Sequence, residues 1–318
     1  MAEDNDSTDE ALAGLPADIQ ETLKRALATA KARKAKEQEQ KPQQQSSALP
    51  AAVEKLPLWP ESVRAVPNGF LRSALFGAIR KGRRRFMERE VIAALEGIEL
   101  RYTGQRLDQS DLDVYECILQ LARFQPLGTK CHVTAYALLK LLGRTVNGKN
   151  RQTLHDQIVR LRSGTVEIKH GRYVYIGGLI DEAFKDEKTH EWVIVINPKL
   201  ANLYAKDAFT LMQWGERLAL AGQPLAQWLH GFYSSHAKPH PIKVETLRQL
   251  SGSENESLSS FRQKMRVALD AMAKVTGWTW ETEAISDLVY VYKTPTGSQA
   301  RHLIFRALKG KGSTDPKK

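Results

Sequence analysis

The sequence has little that would support an exported, membrane-spanning or metal-binding protein. Only two of its 318 residues are cysteines, Cys117 and Cys131, and neither belongs to a CxxC pair. We therefore expect reduced, buried thiols rather than a disulfide or a zinc site. Apolar runs are short and interrupted by charges, and the acidic start MAEDNDSTDE is unlike a secretory signal. These absences predict a cytoplasmic protein that does not cross a membrane.

Recognisable catalytic signatures are also missing. The segments GKNRQT and GSENES do not match the GxxxxGK[ST] loop that holds nucleotide phosphates. His230, His236 and His240 have no Cys or Glu nearby that completes a ligand set at familiar spacing. Their separation also differs from the compact histidine pair that a rolling-circle nuclease requires. The sequence therefore predicts a protein that is not an enzyme and holds no metal or cofactor.

Positive charge is what the chain has in excess. Forty-seven Lys and Arg against thirty-six Asp and Glu give a net charge of +11, which favours nucleic acid over an anionic membrane as the partner. The first 23 residues contain seven acids and no Lys or Arg, so the remainder carries +18. Residues 72–89 and 144–172 are especially basic, with +6 and +5. A solvated basic face is the alternative interpretation of such windows.

Composition and length divide the chain into four parts. Residues 1–55 are rich in Ala, Glu, Lys and Gln and predict a disordered, charged arm. Two folded domains are expected over residues 56–190 and 191–300, because 318 residues suffice for two hydrophobic cores. Residues 301–318 form a basic tail. The predicted fold class is α+β, with two tandem winged-helix domains after the arm.

Hydrophobic periodicity in the first domain predicts a helix, a strand, two helices joined by a turn, and a β-hairpin. A short helix over 70–79 comes before them, and the first main helix begins at a cap formed by Ser110 or Asp111. Leu154, Ile158 and Leu161 form the apolar stripe of the third main helix. The main elements are expected at 110–124, 130–133, 134–142, 149–162, 165–169 and 172–177. This order is typical of a helix-turn-helix followed by a wing.

The same order recurs in the second domain. After a strand at 192–196 and a helix from Pro198, the pattern predicts helices over 216–236, 244–250 and 258–275. A hairpin over 278–283 and 288–293 follows. The apolar stripe of its third helix consists of Phe261, Met265, Ala268, Leu269 and Met272.

The third helix of each domain has the division of faces that a DNA-reading helix needs. An α-helix fits the major groove, where Arg forks onto guanine and Asn or Gln onto adenine. Any amphipathic helix has a polar surface, but two such helices in matching hairpin contexts favour DNA contact. We predict a guanine contact for Arg262 and a phosphate contact for Arg160. The candidate DNA-contacting residues are Arg144, Lys149, Asn150, Arg151, His155, Arg160, Arg162, Lys169 and Arg172 in the first domain and Ser259, Ser260, Arg262, Gln263 and Arg266 in the second. A cluster of possible phosphate contacts comprises Lys81, Arg83, Arg84 and Arg85.

Four long segments resemble the TrfA-type initiators of plasmid replication. They are LPLWPESVRAVPNGFLRSALF, LRYTGQRL, GRTVNGKN and FYSSHAKPHPIKVETLRQLSGS, and the resemblance runs from about Leu56 to Lys293. It implies tandem winged-helix domains that bind repeated origin sites, called iterons, in double-stranded plasmid DNA. It also implies a monomer–dimer equilibrium with inactive dimers, origin opening, and recruitment of the host initiator and replicative helicase.

The resemblance implies that the second domain is the main iteron reader. Some relatives carry a sliding-clamp peptide of the form QLSLF before the Trp-Pro turn, and the nearest string here, residues 55–59, lacks the leading Gln. Leu56, Leu58 and Trp59 are therefore candidate clamp contacts, with the alternative that the pair Leu58 and Trp59 anchors the linker on the first domain. A winged-helix transcriptional repressor without initiator activity is the alternative function. A scaffold protein would leave both basic recognition helices unexplained.

Overall fold

The computed structural model of the chain describes residues 55–80, 82, 84–95, 97–170, 173–189, 191–205 and 208–303. The arm predicted over residues 1–55, except Lys55, and the tail from residue 304 lie outside this part of the chain. Lys81, Arg83 and Arg172 lie outside it as well. The described residues form a mixed α and β structure.

Strands outnumber helices along the first two thirds of the described chain. In order, they are β1 (Val63–Pro67), α1 (Asn68–Leu71), β2 (Phe76–Gly77), β3 (Phe86–Val91), β4 (Glu99–Gln105), β5 (Leu107–Asp108), α2 (Gln109–Ala122), β6 (Lys130–Thr134), α3 (Ala135–Leu141), α4 (Gly148–Ser163), β7 (Thr165–His170), β8 (Tyr173–Gly177), β9 (Glu182–Lys185) and β10 (Glu191–Val195). A 3-10 helix, Pro198–Tyr204, and β11 (Phe209–Gln213) follow.

The last third is mainly helical before a final hairpin. Its elements are α5 (Trp214–Ala219), α6 (Pro224–Ser234), β12 (Ile242–Lys243), α7 (Val244–Leu250), α8 (Leu258–Thr276), β13 (Thr279–Glu283) and β14 (Leu288–Tyr292). Residues 297–303 are helical. None of the helices in the described ranges combines the length and hydropathy needed to cross a membrane.

The strands form several small sheets rather than one large one. The largest is four-stranded and antiparallel in the order β3-β4-β7-β8, so the predicted hairpin β7–β8 extends a sheet begun by β3 and β4. Three-stranded sheets have the orders β6-β10-β9 and β12-β14-β13, and β1 pairs with β11. The short strands β2 and β5 are parallel neighbours.

Helix α2 lies at the centre of the first core. Its N-cap is Asp108, whose Oδ1 accepts hydrogen bonds from the backbone N–H groups of Ser110 and Asp111, each at 2.9 Å. Asp111 Oδ2 in turn accepts from the Asp108 N–H at 3.0 Å, which completes a capping box. The cap was predicted at Ser110 or Asp111, so the helix begins slightly earlier. Twelve of its fourteen residues are buried, because other elements surround it.

Two hydrophobic cores divide the chain later than the sequence predicted. The first core extends from Leu56 to Trp214, and the second from Leu220 to Val291. Strand β10 was assigned to the second domain by the boundary at 190/191, yet it pairs with β6 and β9 in the first core. The boundary therefore moves to about residue 219, because strand pairing and not sequence proximity decides which core β10 joins. Both cysteines lie buried and free in the first core, as predicted.

A buried ion pair connects the two cores. Arg217, on α5, donates from Nε to Asp113 Oδ1 on α2 at 2.7 Å, and both side chains are largely shielded from solvent. The same guanidinium donates to the Gln227 carbonyl on α6 at 2.8 Å and to the Gln109 carbonyl on α2 at 3.1 Å. The Trp228 indole adds a bond to the Ser73 carbonyl at 3.1 Å. The Arg217 bonds hold α6 against α2, and the Trp228 bond holds it against the segment after α1.

The prediction of a short helix over 70–79 is wrong beyond Leu71. Helix α1 ends there because the following backbone bonds to distant segments: the Ala74 N–H donates to the Ala93 carbonyl and the Ala78 N–H to the Ser251 carbonyl, both at 2.7 Å. A helix would use those donors internally.

The long helix predicted over 216–236 is wrong as well, because it is two helices. Helix α5 ends at Ala219; Gly222, with a left-handed φ of +82°, turns the chain, and Pro224 occupies the first turn of α6.

Candidate nucleic-acid interface

Helix α4 presents one apolar face to the first core and one polar face to solvent. Its N-cap is Asn147, whose side chain accepts from the Asn150 N–H at 2.8 Å. Leu154, Ile158 and Leu161 are fully buried, which confirms the predicted stripe. Their burial fixes which side chains of the helix can reach a ligand.

The solvent face of α4 includes a residue that the sequence analysis missed. Gln152 is exposed opposite the buried stripe and donates to Asp156 Oδ1 at 2.8 Å. Projecting the helix at 100° per residue from Leu154 would have placed Gln152 there. The predicted residues Lys149 and Arg151 are exposed near the N-terminus and form no ion pair within the described part of the chain. Both are therefore accessible to a ligand.

Arg160 and Arg144 are half-buried and bonded to other side chains of the protein. Arg160 donates to Asp111 Oδ1 at 2.7 Å, and Asp111 is completely buried. Burial, together with the neighbouring Asp108 carboxylate, raises the pKa of Asp111 to about 6 despite this partner. The phosphate contact predicted for Arg160 is therefore corrected to a structural role, since its guanidinium neutralises a buried carboxylate. Arg144 donates to Gln157 Oε1 at 2.8 Å and is half-buried.

The other candidates of the first domain lie around α4. The His155 ring packs against the Trp192 ring with centroids 5.4 Å apart, which restricts its reach. Asn150 bonds to the Thr145 carbonyl at 2.7 Å and stabilises the preceding turn. Lys169, on β7, pairs with Glu99 on β4 at 2.7 Å, and Arg162 is exposed at the end of the helix.

The basic cluster before β3 is only partly available to a ligand. Arg84 forms an ion pair with Asp108, the cap of α2; Asp108 is buried, and only 9% of the Arg84 side chain is exposed. It is therefore corrected from a phosphate contact to a structural residue. Arg85 is exposed and forks onto Glu90, with Nη2 2.8 Å from Oε2.

The segment compared with a clamp-binding peptide is mostly part of the core. Leu56 and Trp59 are buried, and the Trp59 indole donates to Gln120 Oε1 at 2.6 Å while its ring stacks on Tyr204. Leu58 is 74% exposed. The anchor interpretation therefore fits Trp59 but not Leu58, and a clamp could reach neither Leu56 nor Trp59 without unfolding this segment.

Helix α8 is built like α4 and carries the predicted stripe. Phe261, Met265, Ala268, Leu269 and Met272 are all buried. Arg248, on α7, stabilises the turn between the helices by donating to the carbonyls of Asn255 and Glu256 at 3.0 and 2.9 Å. Helix α8 begins after Ser257, whose hydroxyl accepts from the Ser260 N–H at 3.4 Å. These bonds fix the start of α8, and the face opposite the buried stripe points to solvent.

The outward face of α8 combines polar and apolar side chains. Ser259, Gln263 and Arg266 are exposed, and Ser260 is half-buried. Val267, which the sequence analysis did not select, is 67% exposed. Gln263, Lys264 and Val267 line one side of a cleft of about 690 Å³, whose other walls are residues 78–80, 222–226 and 253–255. This face can offer hydrogen bonds and one apolar contact.

Arg262 lies beside this face and is not free in the unbound protein. Its Nε donates to Asp287 Oδ1 at 2.9 Å and its Nη2 to Asp287 Oδ2 at 2.8 Å. Asp287 belongs to the turn between β13 and β14, and the bond to Arg262 holds the pKa of this carboxyl below its usual value. The pair connects helix α8 with the hairpin.

Comparisons with known proteins agree on one family. The family model described as TrfA protein matches residues 17–292. An Escherichia coli protein named plasmid replication initiator protein TrfA is 26% identical over 222 residues, which cover 67% of this chain and 58% of that protein. The chain thus matches less than two thirds of the length of this relative.

One solved structure shows a similar fold, and a second has a lower TM-score. A crystal structure of domains 2 and 3 of RctB matches with a TM-score of 0.51 and 12% identity, covering 72% of this chain and 99% of that one. A structure of the Pi initiator protein in complex with iteron DNA matches with a TM-score of 0.41 and 13% identity, covering 57% of this chain and 91% of that one. Because the family model covers most of the sequence, the chain belongs to the TrfA family.

Proposed function

We propose that this protein initiates plasmid replication by binding iterons in double-stranded origin DNA through two winged-helix domains. Helices α4 and α8 are the reading helices, and the hairpins β7–β8 and β13–β14 are the wings. Membership of the TrfA family and the name of the E. coli relative support this proposal. The observation that carries it is α8, whose apolar stripe is buried while Ser259, Gln263 and Arg266 stay open to solvent.

In this proposal the two domains contribute differently. The outward face of α8 has long side chains with hydrogen-bonding ends, which suit base edges in the major groove. Around α4 the accessible groups are mainly the cations Lys149, Arg151 and Arg162, which suit phosphate oxygens. The second domain therefore reads the sequence, and the first domain adds affinity.

The protein acts by binding and recruitment rather than by catalysis. Bound at the origin, it promotes duplex opening and brings in the host initiator and replicative helicase, as its family resemblance implies. A monomer binds DNA, dimers are inactive, and the protein works in the cytoplasm.

A plasmid-maintenance assay tests this proposal. The gene and the candidate origin, with its repeated sites, are placed on a vector whose own origin cannot function in the host. We expect the wild-type gene to maintain the plasmid and the double variant Gln263→Ala, Arg266→Ala to lose it. Lys188→Ala is the control, because Lys188 is exposed in the turn between β9 and β10 and belongs to neither reading helix. Repression of a reporter without plasmid maintenance would instead support the repressor function.

A further inference from the structure

The contact between Arg262 and Asp287 has a geometry that suits base reading. The guanidinium uses one edge, Nε and Nη2, for both carboxylate oxygens, at 2.9 and 2.8 Å. A guanidinium has five N–H donors, so Nη1 and the second hydrogen of Nη2 form a further fork that Asp287 does not occupy. Guanine presents O6 and N7 as a matching pair of acceptors in the major groove.

The backbone fixes the position of the Asp287 carboxylate. Asp287 has a φ of +55°, and its carbonyl accepts from the N–H of Val244, the first residue of α7, at 3.0 Å. The turn is thus attached to the helix-turn-helix. An arginine held at one edge loses less conformational freedom when the other edge binds a ligand.

Charge favours a base over a phosphate as the ligand of the second fork. Asp287 already compensates the positive charge of Arg262, and a phosphate would bring a second anion close to the carboxylate. The O6 and N7 atoms of guanine are neutral acceptors and meet no such repulsion.

Building on the proposed DNA-binding function, we propose that Asp287 is a positioning residue that holds Arg262 so that its free fork contacts a guanine. Arg262 is 38% and Asp287 31% exposed, so a base edge can approach the pair from solvent. Specificity at one base pair of the binding site then depends on a wing residue that does not itself contact that base.

Selected DNA and modified guanines provide the test. A preferred duplex is first selected from a random library by the full wild-type chain, and each guanine is then replaced by 7-deazaguanine, which lacks the N7 acceptor. We expect one guanine whose replacement weakens wild-type binding by about tenfold. Arg262→Ala should lose this sensitivity, and Asp287→Asn should reduce it markedly.

Asparagine is the informative substitution at position 287, since it tolerates a positive φ and keeps the turn. Asp287→Asn removes a negative charge, so its affinity for unrelated duplexes should stay equal or rise. Glu281→Gln is the matched control: it removes the same charge from β13, where Glu281 accepts from the Tyr292 hydroxyl, and should leave the guanine sensitivity unchanged. Thermal unfolding compares the folding of all variants.

Three outcomes would overturn the inference. If Asp287→Asn bound the selected duplex more tightly with unchanged guanine sensitivity, the carboxylate would be a competitor of DNA. If it lost affinity for all duplexes equally, Asp287 would serve only the fold. Selection of no preferred duplex would overturn the proposed function itself, and the role of Asp287 with it.

Discussion

Arginine residues in this protein differ in what their guanidinium groups contact. Arg84, Arg160 and Arg217 pair with buried aspartates, whereas Arg151 and Arg266 are exposed. The first group stabilises the fold and adds little to the field that a polyanion meets. A count of basic residues in the sequence therefore overestimates the surface proposed to bind DNA.

Arg160→Ala should mainly weaken the fold. It would leave the buried Asp111 without its cation, and breaking such a pair costs roughly 3–5 kcal/mol. The free energy of unfolding, from urea titrations, should fall by about this amount. Lys149→Ala should leave stability unchanged and weaken binding to all duplexes. It should also reduce the slope of log affinity against log salt concentration by about one. A stable Arg160→Ala protein with a reduced salt dependence of binding would instead support the phosphate contact predicted from the sequence.

His236 should make the fold sensitive to acid. Burial, with Arg72, Lys293 and His240 nearby, lowers its pKa to about 4, although the Phe232 carbonyl accepts a bond from its ring. In the unfolded chain the pKa of His236 is about 6.5. As the pH falls below this value, the unfolded chain binds a proton at His236 that the folded protein does not bind. This contribution to stability is present above about pH 6.5 and is lost as the pH falls towards 4.

Urea midpoints at about pH 7 and pH 5 would measure this effect, with pH values chosen on either side of the unfolded pKa. The midpoint of the wild-type protein should fall more between them than that of His236→Gln, because the carboxylates common to both proteins cancel in the comparison. Equal pH dependence would contradict the assignment to His236.

Among the elements, the break between α5 and α6 shows how one backbone conformation redirects a helix. Apolar periodicity continues through residues 216–236, yet α5 ends at Ala219, Gly222 turns the chain, and α6 begins at Pro224. The break lets Arg217 on α5 reach both α2 and α6. The local conformation at residue 222 thereby positions a contact between the two cores.

Two glycine substitutions distinguish the cost of backbone strain from the cost of steric overlap. A Cβ at Gly222 would meet nothing within 4 Å, so Gly222→Ala should destabilise the fold by about 1 kcal/mol through its left-handed φ alone. Gly215→Ala is the control, because Gly215 also has open space and lies within α5 without a positive φ. It should be neutral or stabilising by up to about 1 kcal/mol. Thermal unfolding would detect the difference, and equal effects would argue against strain at Gly222.

Elements were predictable where the pattern is local. Helices α4 and α8 carry regular apolar spacing, and their stripes and bounds agree closely with the prediction. Strand β10 was expected near its observed place, but its partners, β6 and β9, could not be identified because periodicity does not encode pairing. The same limit hid Asp287, which lies 25 residues from Arg262. Side chains from distant segments complete the candidate site.

At the scale of the whole molecule, positive charge should govern DNA affinity. If roughly six to ten phosphates are contacted, affinity should fall about a thousandfold or more between about 50 and 200 mM salt, because bound counterions are released. Fluorescence anisotropy at several salt concentrations measures this slope. A flat titration would contradict the proposed surface on α4 and α8.

The buried contacts of Arg217 with Asp113, Gln109 and Gln227 have a consequence for the DNA itself. The contacts join α5 and α6 to α2. The two proposed reading helices are therefore held at one fixed separation when they meet the duplex. Each base pair inserted between the two contacted segments turns one segment by roughly 35° relative to the other. One added pair should lower affinity, and five should leave only one helix engaged. The protein would thus recognise the length of a stretch of DNA whose bases it never contacts.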